Sequence, residues 1–314
     1  MKDKFKVTSA MFIAMLFWGI SFIWSEQALA IYNPFTLLLF RLVLSTLLLF
    51  FINIWLKKIS KLNKEDIFLF IVLAFMQPFA YFIGENYGII YTDSTTTSVV
   101  IATIPLFSPV AAYFFLKEKL SIINFIGILI SITGVFLVIL TEDMSINADI
   151  KGLSLLFGAV ICAVIYSVII VRLSGKYNIY TILAYQNIFG IIWFIPVFII
   201  FDLKQFLIIG LNKDAFIPIL LLAVFGSTIC YLFFIYGVKK LGVTRANIFG
   251  NSIPVFTAFF AFFLLDKLFT WLNIVGILLV LSGVLITQLN MLSFKRAGNA
   301  LKNNIKLRRI YPKS

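Results

Sequence analysis

Residues 87–105, YGIIYTDSTTTSVVIATIP, recur in altered form 149 positions later as residues 236–254, YGVKKLGVTRANIFGNSIP. Both copies begin with Tyr-Gly and end with Ile-Pro. At the same offset, GILISITGV at residues 127–135 matches GILLVLSGV at residues 276–284. Matches in the same order and at the same spacing indicate an internal duplication, in which each copy fills about half of the chain.

The amino-acid composition is that of a membrane protein. Of 314 residues, 62% are hydrophobic and 12% are charged, and the mean hydropathy is +1.06, whereas soluble domains carry about 25% charged residues. The apolar residues form runs of about twenty, the length that an α-helix needs to cross ~30 Å of hydrocarbon. We therefore predict transmembrane helices at residues 8–31, 34–56, 66–91, 94–116, 120–140, 152–172, 178–201, 215–238, 243–265 and 269–291.

Each copy of the duplication contains five of these helices. Because five is odd, the second copy enters the membrane from the side opposite to the first. The predicted organisation is a first repeat at residues 1–145, a second, inverted repeat at residues 146–292 and a basic tail at residues 293–314. A weaker match, at an offset of 145, aligns Arg41 of the second helix with Gln186 of the seventh.

The distribution of basic residues predicts the orientation. Of the 26 Lys and Arg, four lie on one side (Lys151, Lys204, Lys213 and Lys267), Arg41 lies within a helix, and the other 21 lie on the opposite side or in the tail. The positive-inside rule makes the basic side cytoplasmic, so both termini are expected in the cytoplasm of a multi-pass bacterial inner-membrane protein. Contact with anionic headgroups explains the net charge of +13 better than nucleic-acid binding does.

Several classes of function lack their characteristic residues. The chain has no His, and its two cysteines, Cys162 and Cys230, fall inside predicted helices, so a metal site or a disulfide framework is unsupported. The sequence FWGISF at residues 17–22 lacks the Lys and the spacing of a phosphate-binding loop. We expect no enzymatic activity, no cofactor, no metal and no nucleic-acid partner.

A set of short motifs occurs in a specific order: FWG at residues 17–19, TLLLFR at residues 36–41, Pro105 and Pro254 in the fourth and ninth helices, and LKEKL at residues 116–120. With the five-plus-five layout, these motifs resemble the EamA family of the drug/metabolite transporter superfamily, over about residues 8–291. The resemblance implies an all-α polytopic membrane protein with ten transmembrane helices as two inverted five-helix repeats around a central cavity. It also implies solute export, without naming the solute.

Two ionisable residues lie at similar depth in the predicted helices. At ~1.5 Å per residue, Arg41 lies ~10 Å below Pro34, and Glu85 lies ~12 Å below Asp93. We hypothesise that they pair or share one water-filled cavity; the alternative is an ion pair that only holds two helices together. Glu85 is the first candidate for proton coupling and Glu26 the second.

The other candidates for substrate contact are aromatic or uncharged polar residues. Aromatic walls suit stacking or cation–π contact, although aromatic residues in such a chain also face lipid or pack. The aromatic candidates are Trp18, Phe22, Tyr81, Tyr87, Tyr166 and Tyr231. The amide candidates are Gln186, Asn187, Asn247 and Asn251. The hydroxyl run at residues 94–98 is expected to cap the fourth helix together with Asp93.

The sequence therefore predicts a secondary transporter that exports a small metabolite, such as an amino acid or a toxic amphipathic compound. Uptake or exchange of another solute remains an alternative. A non-transporting membrane scaffold or lipid-handling protein is the alternative from another class. The partners expected are a small-molecule substrate and the lipid bilayer, for a monomer or a homodimer.

Overall fold

The computed structural model describes residues 2–107, 122–138, 140, 148–241, 246, 249–283 and 285–286, and the elements within them are all helices. By length and composition, six are suited to crossing a membrane: α1 (Lys2–Leu29), α2 (Pro34–Leu56), α3 (Lys64–Tyr91), α6 (Ile150–Ser174), α7 (Ile179–Ile209) and α8 (Lys213–Leu241). Four apolar helices are shorter: α4 (Ser94–Phe107), α5 (Ile122–Val138), α9 (Ile253–Leu265) and α10 (Trp271–Gly283).

The sequence predicted the existence of these helices more accurately than the positions of their ends. Helix α2 begins and ends at the predicted residues, with Asn33 in an extended conformation before it and Lys57 in the left-handed region after it. Helix α1 starts at Lys2, six residues before the predicted start. The LKEKL motif, the basic tail at residues 293–314 and the ends predicted at residues 116 and 291 lie outside the described residues.

The predicted end of α7 at residue 201 was wrong, because the helix continues to Ile209. Asp202 is buried within it, and the backbone N–H and the hydroxyl of Thr36 both donate to Asp202 Oδ2, at 2.8 Å and 3.2 Å. The N–H of Asn33 donates to Gln205 Oε1 at 3.1 Å. The last turns of α7 thus cap the first turn of α2, whose N–H groups have no partner inside their own helix.

Helices α3 and α8 each contain a π-helical segment, at Phe75–Ala80 and at Leu222–Ile229. In α3 the backbone leaves the helical region at Gln77 (φ −151°, ψ 120°), directly before Pro78. Shifted by 149 residues, Phe75–Ala80 falls within the second segment. Neither irregularity was predicted from the sequence, although Pro78 was an available signal, because proline removes a hydrogen-bond donor from a helix.

Helix α4 is interrupted by a turn, and a turn at the matching positions stands directly before α9. Turns at residues 102–103 and 251–252 precede Pro105 and Pro254. The N–H of Thr103 bonds to the carbonyl of Val100, and that of Ser252 to Phe249, both at 3.0 Å. Each turn thus ends two residues before a proline, which cannot donate a backbone hydrogen bond to a helix.

The surface and the interior are distributed as in a membrane protein. The outward faces of α2 and α7 expose large apolar side chains, such as Trp55, which is 78% exposed, and Phe201. The interior holds charged and amide side chains, including Arg41, Glu85 and Gln186. Lipid tolerates exposed apolar groups, whereas polar groups in a bilayer must find partners inside the protein.

Helix α3 packs closely on α6 through two glycines, Gly84 and Gly88. A Cβ atom at Gly84 would lie 2.6 Å from the carbonyl oxygen of Leu155, and one at Gly88 would lie 2.3 Å from Leu156 Cδ2. Small residues four apart let helices approach where lipid provides no hydrophobic driving force for association. This contact fixes the part of α3 that carries Glu85.

We expect Gly84→Ala to lower the thermal unfolding midpoint of the purified protein, because the new methyl group meets backbone that has no room to yield. Overpacking of this kind costs about 1–3 kcal/mol. Gly158→Ala on α6 is the matched control, since a Cβ there has no atom within 4 Å. Equal midpoints for the two variants would contradict the close packing of α3 on α6.

Candidate functional site

A cavity lies in the middle of the bundle, bounded by α1, α2, α3, α4, α6, α8 and α9. Its empty space amounts to about 780 Å³, a volume that includes space open to solvent at the protein surface. Side chains from both halves of the chain line it: Met15, Trp18, Ser21, Phe22, Arg41, Gln77, Tyr81, Phe82, Glu85, Ile101, Ala102, Ile104, Pro105, Ala163, Tyr166, Ser167, Tyr231, Phe234, Gly250 and Ile253. Below we call this space the central cavity.

Most of the residues that the sequence predicted for the site lie at this cavity. They are Trp18, Phe22, Arg41, Tyr81, Glu85, Tyr166 and Tyr231. These residues come from five helices, α1, α2, α3, α6 and α8, which the fold brings together around one space. The wall is mostly apolar and aromatic, with a few polar groups, which is typical of sites that hold small organic molecules.

Arg41 is held firmly although it is buried, with 1% of its surface exposed. Its Nε donates to Ser227 Oγ on the π-helical segment of α8, and its Cζ lies 4.2 Å from the centre of the Phe82 ring. Its Nη1 is buried without a hydrogen-bond partner. The guanidinium is therefore fixed in orientation by α8 and α3 while part of its hydrogen-bonding capacity is unused.

Glu85 shares the cavity with Arg41 but does not form a contact ion pair with it. The three ion-pair contacts within 4.0 Å in the described part of the chain join Lys176 to Asp66 and Lys267 to Glu26 and Asp93. Glu85 is 6% exposed, and the Tyr81 phenol lies beside it. The lining of the cavity thus contains one cation and one carboxyl group, which are not paired with each other.

Gln77 was not among the residues predicted from the sequence; its side-chain amide donates to the Tyr231 hydroxyl. Trp18 packs edge-on against that tyrosine, with ring centres 5.4 Å apart, and its Nε1 donates to the carbonyl of Gly226 at 3.1 Å. Gln77 and Gly226 belong to the two π-helical segments. A polar residue beside Pro78 in an apolar run was the signal that could have identified Gln77.

Equivalent positions of the duplication both contribute to the lining of the cavity. At the offset of 149 residues, the equivalent lining pairs are Phe82 and Tyr231, Glu85 and Phe234, Ile101 and Gly250, and Ile104 and Ile253. These equivalent positions differ in chemistry. Where the first half places the carboxyl group of Glu85, the second half places the phenyl ring of Phe234.

The remaining predicted residues are not among those that line the cavity. Tyr87 packs against Phe35 and Tyr91. Gln186 lies behind the wall and accepts a bond from the Tyr166 hydroxyl at 3.1 Å, and Asn187 donates to Ser45 Oγ at 2.9 Å. Further along the chain, Asn251 is buried beside the lining residue Gly250, and its side-chain amide has no partner. Asn247 lies outside the described residues.

Glu26 lies one helical turn beyond Phe22, at the end of the bundle opposite to Lys2. Its carboxylate accepts from Lys267 Nζ at 2.9 Å and 3.1 Å and from the N–H of Ser94 at 3.0 Å. Lys267 also lies 3.9 Å from Asp93, which caps α4 by accepting from the N–H of Thr96. We call Glu26, Asp93, Ser94 and Lys267 the latch, because they join α1, the start of α4 and the segment after α9.

A second set of polar contacts lies at the other end of the bundle. Lys176 Nζ and the Tyr177 hydroxyl donate to the carboxylate of Asp66, at 2.7 Å and 2.8 Å. The Tyr177 oxygen in turn accepts from the N–H of Asn63 at 3.1 Å. This cluster joins the start of α3 to the connection between α6 and α7, so polar ties between the two halves occur at both ends of the bundle.

The fold and the cavity define a multi-pass helical membrane protein with an internal binding site. The chain matches the EamA-like transporter family at residues 6–140 and again at residues 150–289, and it belongs to that family. It is therefore a membrane transporter, which is consistent with the expectation that it is not an enzyme.

Similar proteins come from bacteria, archaea and plants. The chain is 26% identical over 257 residues to the uncharacterised transporter YetK of Bacillus subtilis (78% of this chain, 75% of that one). It is 27% identical over 274 residues to an uncharacterised transporter of Archaeoglobus fulgidus (87% and 95%). A WAT1-related chloroplastic protein of Arabidopsis thaliana is 24% identical over 282 residues (85% and 66%).

The fold also resembles that of a solved structure. A crystal structure superposes with a TM-score of 0.67 at 14% identity, covering 90% of this chain and 96% of the other. At that identity the likeness concerns the fold alone. The site residues must therefore be argued from this chain.

We expect Tyr166→Phe to destabilise the protein, because it leaves the buried Gln186 Oε1 without its donor. An orphaned buried acceptor costs about 1–3 kcal/mol, which would lower the thermal unfolding midpoint measured in detergent. Tyr87→Phe is the control, since Tyr87 packs through its ring outside the cavity wall. If the two variants unfolded at the same temperature, the bond between Tyr166 and Gln186 would contribute nothing.

Proposed function

We propose that this chain is a secondary active transporter that exports a small metabolite, such as an amino acid or a toxic amphipathic compound, by alternating access. The observation that carries the proposal is the placement of Arg41 and Glu85 in one cavity in the middle of an apolar bundle. Ionisable groups at membrane depth are costly and normally face a partner or a solute pathway. Because these two groups do not contact each other, a pathway explains them better than a structural ion pair.

We infer further that the helices form two inverted five-helix repeats, residues 1–145 and 146–292, each entering the membrane from its own side. The matched π-helical segments, helix breaks and cavity-lining pairs support this inference. Such repeats exchange conformations around a fixed central site, which opens it first to one side and then to the other. A scaffold that only kept the fold would need no cavity between the repeats.

Contacts between α5 and α10 support the same symmetry. A Cβ at Gly134 would lie 2.6 Å from the carbonyl oxygen of Gly276, and one at Gly283 would lie 2.5 Å from that of Gly127. The shift of 149 residues converts the first contact into the second. Ser131 Oγ donates to the carbonyl of Val280, its own equivalent, at 3.1 Å. Mutual contacts of equivalent residues arise where a two-fold axis passes through an interface.

The proposed setting is the bacterial cell membrane, with both termini in the cytoplasm. The distribution of Lys and Arg supports this orientation. The latch then lies on the outer side, and the Asp66 cluster lies on the inner side. The direction of transport rests on the family resemblance, and export is the direction that we propose.

Proton coupling through Glu85 completes the proposal. Glu85 is the carboxyl group among the residues that line the cavity, so a proton taken up there changes the charge that a solute meets. Glu26, the second candidate, is engaged by Lys267 and Ser94 outside the cavity. We therefore assign the coupling role to Glu85 and the closing role to Glu26.

Metabolite profiling of the medium, with and without the protein, tests the function directly. We expect at least one small metabolite to accumulate faster outside cells that contain the protein, and Arg41→Met to abolish the difference.

Everted vesicles then test proton coupling. Uptake of that metabolite should respond to an imposed pH gradient in the parent protein and in the control Glu65→Gln, which changes an exposed carboxyl group. Glu85→Gln should remove the response. Normal, gradient-sensitive transport by Glu85→Gln would exclude Glu85 as the coupling group.

We expect Lys267→Met to open the outer side of the cavity. A partly exposed ion pair contributes up to about 1 kcal/mol, so its loss shifts the closed-to-open ratio by up to about fivefold. A cysteine at Phe22, in a Cys162→Ala, Cys230→Ala background, reports this shift through its labelling rate with an impermeant maleimide on intact cells.

The control for the latch variant is Lys204→Met, which removes an exposed lysine of α7 at the same end of the bundle. Labelling of the Phe22→Cys site should not change in that background. Equal labelling rates with and without Lys267 would mean that the latch does not hold the outer side closed.

A further inference from the structure

We propose that Arg41 binds a singly charged acidic group of the transported solute, such as a carboxylate, through its unpaired Nη1. The proposal rests on the proposed function, because it concerns the same cavity, and it narrows the class of solute. It assigns to Ser227 and Phe82 the task of positioning the guanidinium, a task that the sequence did not suggest for either residue.

One nitrogen of the Arg41 guanidinium, Nη1, has no hydrogen-bond partner in the part of the chain that the structure describes. Nε is occupied by Ser227 Oγ, the Phe82 ring covers one face at 4.2 Å, and a Cβ at Gly226 would lie 3.2 Å from Nη2. The π-helical segment of α8 therefore approaches the side of the group that carries Nε and Nη2. Nη1 has no partner although it is buried, and its side chain lines the cavity.

The charge of Arg41 has no contact anion in the described part of the chain. No oxygen of the Glu85 carboxylate lies within the 4.0 Å ion-pair distance of the Arg41 nitrogens, and Glu26 is paired with Lys267. Asp202 accepts from Thr36. Burying a charge without a partner is unfavourable, and a charge-assisted hydrogen bond from Arg to an oxyanion offsets part of that cost. An acidic group is the ligand that supplies such a bond.

The rest of the cavity limits which acid fits. Glu85 adds a negative charge to the wall, so a doubly charged phosphate ester would meet repulsion as well as attraction. The Trp18, Phe22 and Phe234 side chains offer apolar surface for the body of the solute. A monoanion with an apolar or aromatic body therefore satisfies both Arg41 and the wall.

Matched ligand pairs test this proposal on the full-length protein in detergent. The probes are 3-phenylpropionate and hexanoate, each beside its primary amide, which has nearly the same shape but no charge. We expect at least one carboxylate to raise the thermal unfolding midpoint in a saturable manner, at a concentration at least tenfold lower than its amide requires. If neither carboxylate stabilises the protein more than its amide, the proposal is overturned, and this comparison needs no variant.

Variants test whether the preference for the carboxylate over the amide depends on Arg41 and on Ser227, which positions it. Arg41→Met should abolish the preference for the acid, Ser227→Ala should weaken it severalfold, and Ser227→Thr, which retains the hydroxyl, should restore it. Arg172→Met is the control, because Arg172 is an exposed arginine on α6 outside the cavity. Should Arg41→Met not fold, Ser227→Ala and Ser227→Thr decide the matter, and an unchanged preference in Ser227→Ala overturns the positioning role.

The outcomes separate this proposal from the proposed function. If the protein exports a metabolite but binds acids and amides equally, the proposed role of Arg41 is contradicted and the transport function is supported. If acids bind in a manner that depends on Arg41, but the protein changes neither the metabolites in the medium nor uptake into vesicles, the transport function is contradicted and the acid site is supported.

Discussion

A buried guanidinium group is the constraint on which the centre of this protein depends. Arg41 sits where neither lipid nor bulk water can solvate its charge, so the surrounding helices must supply hydrogen bonds, a ring face and space for a partner. Helix α8 supplies Ser227 from a π-helical segment, and α3 supplies Phe82 one turn from Glu85. The irregular backbone of α8 lies next to the charge, and that of α3 brings Gln77 to the same cavity. Backbone that departs from a regular helix can be satisfied there by protein or by a cavity.

The cavity combines a repeated frame with unequal chemistry. Positions that are equivalent in the duplication, such as Phe82 and Tyr231 or Glu85 and Phe234, both line it. Turns at matching positions, residues 102–103 and 251–252, lie at or beside its lining residues. The unequal side chains give the cavity one cation and one carboxyl group. An asymmetric solute can therefore bind in a defined orientation.

Polar ties close the bundle at its two ends, and both are built from carboxylates that also serve helix starts. Glu26 accepts from the first N–H of α4 as well as from Lys267, and Asp66 stands at the beginning of α3 beside Lys176 and Tyr177. The ion pair in each tie contributes little by itself, because its lysine remains partly exposed to solvent and such pairs contribute about 0–1 kcal/mol. Weak closures are consistent with the alternating access that we propose, since a strong closure would hold a single conformation.

The sequence alone determined the helical class, the duplication, most helix positions and seven of the residues at the cavity, because hydrophobic runs, prolines and buried charges are local features with strong physical costs. It did not predict the extension of α7 past residue 201, the π-helical segments, Gln77 or the latch. Each of these depends on a contact between residues far apart in the chain: Asp202 with Thr36, Gln77 with Tyr231, and Lys267 with Glu26. Likewise, the depths of Arg41 and Glu85 predicted that they share a cavity, and only the packing of α2, α3 and α8 decided that Arg41 bonds to Ser227 rather than to Glu85.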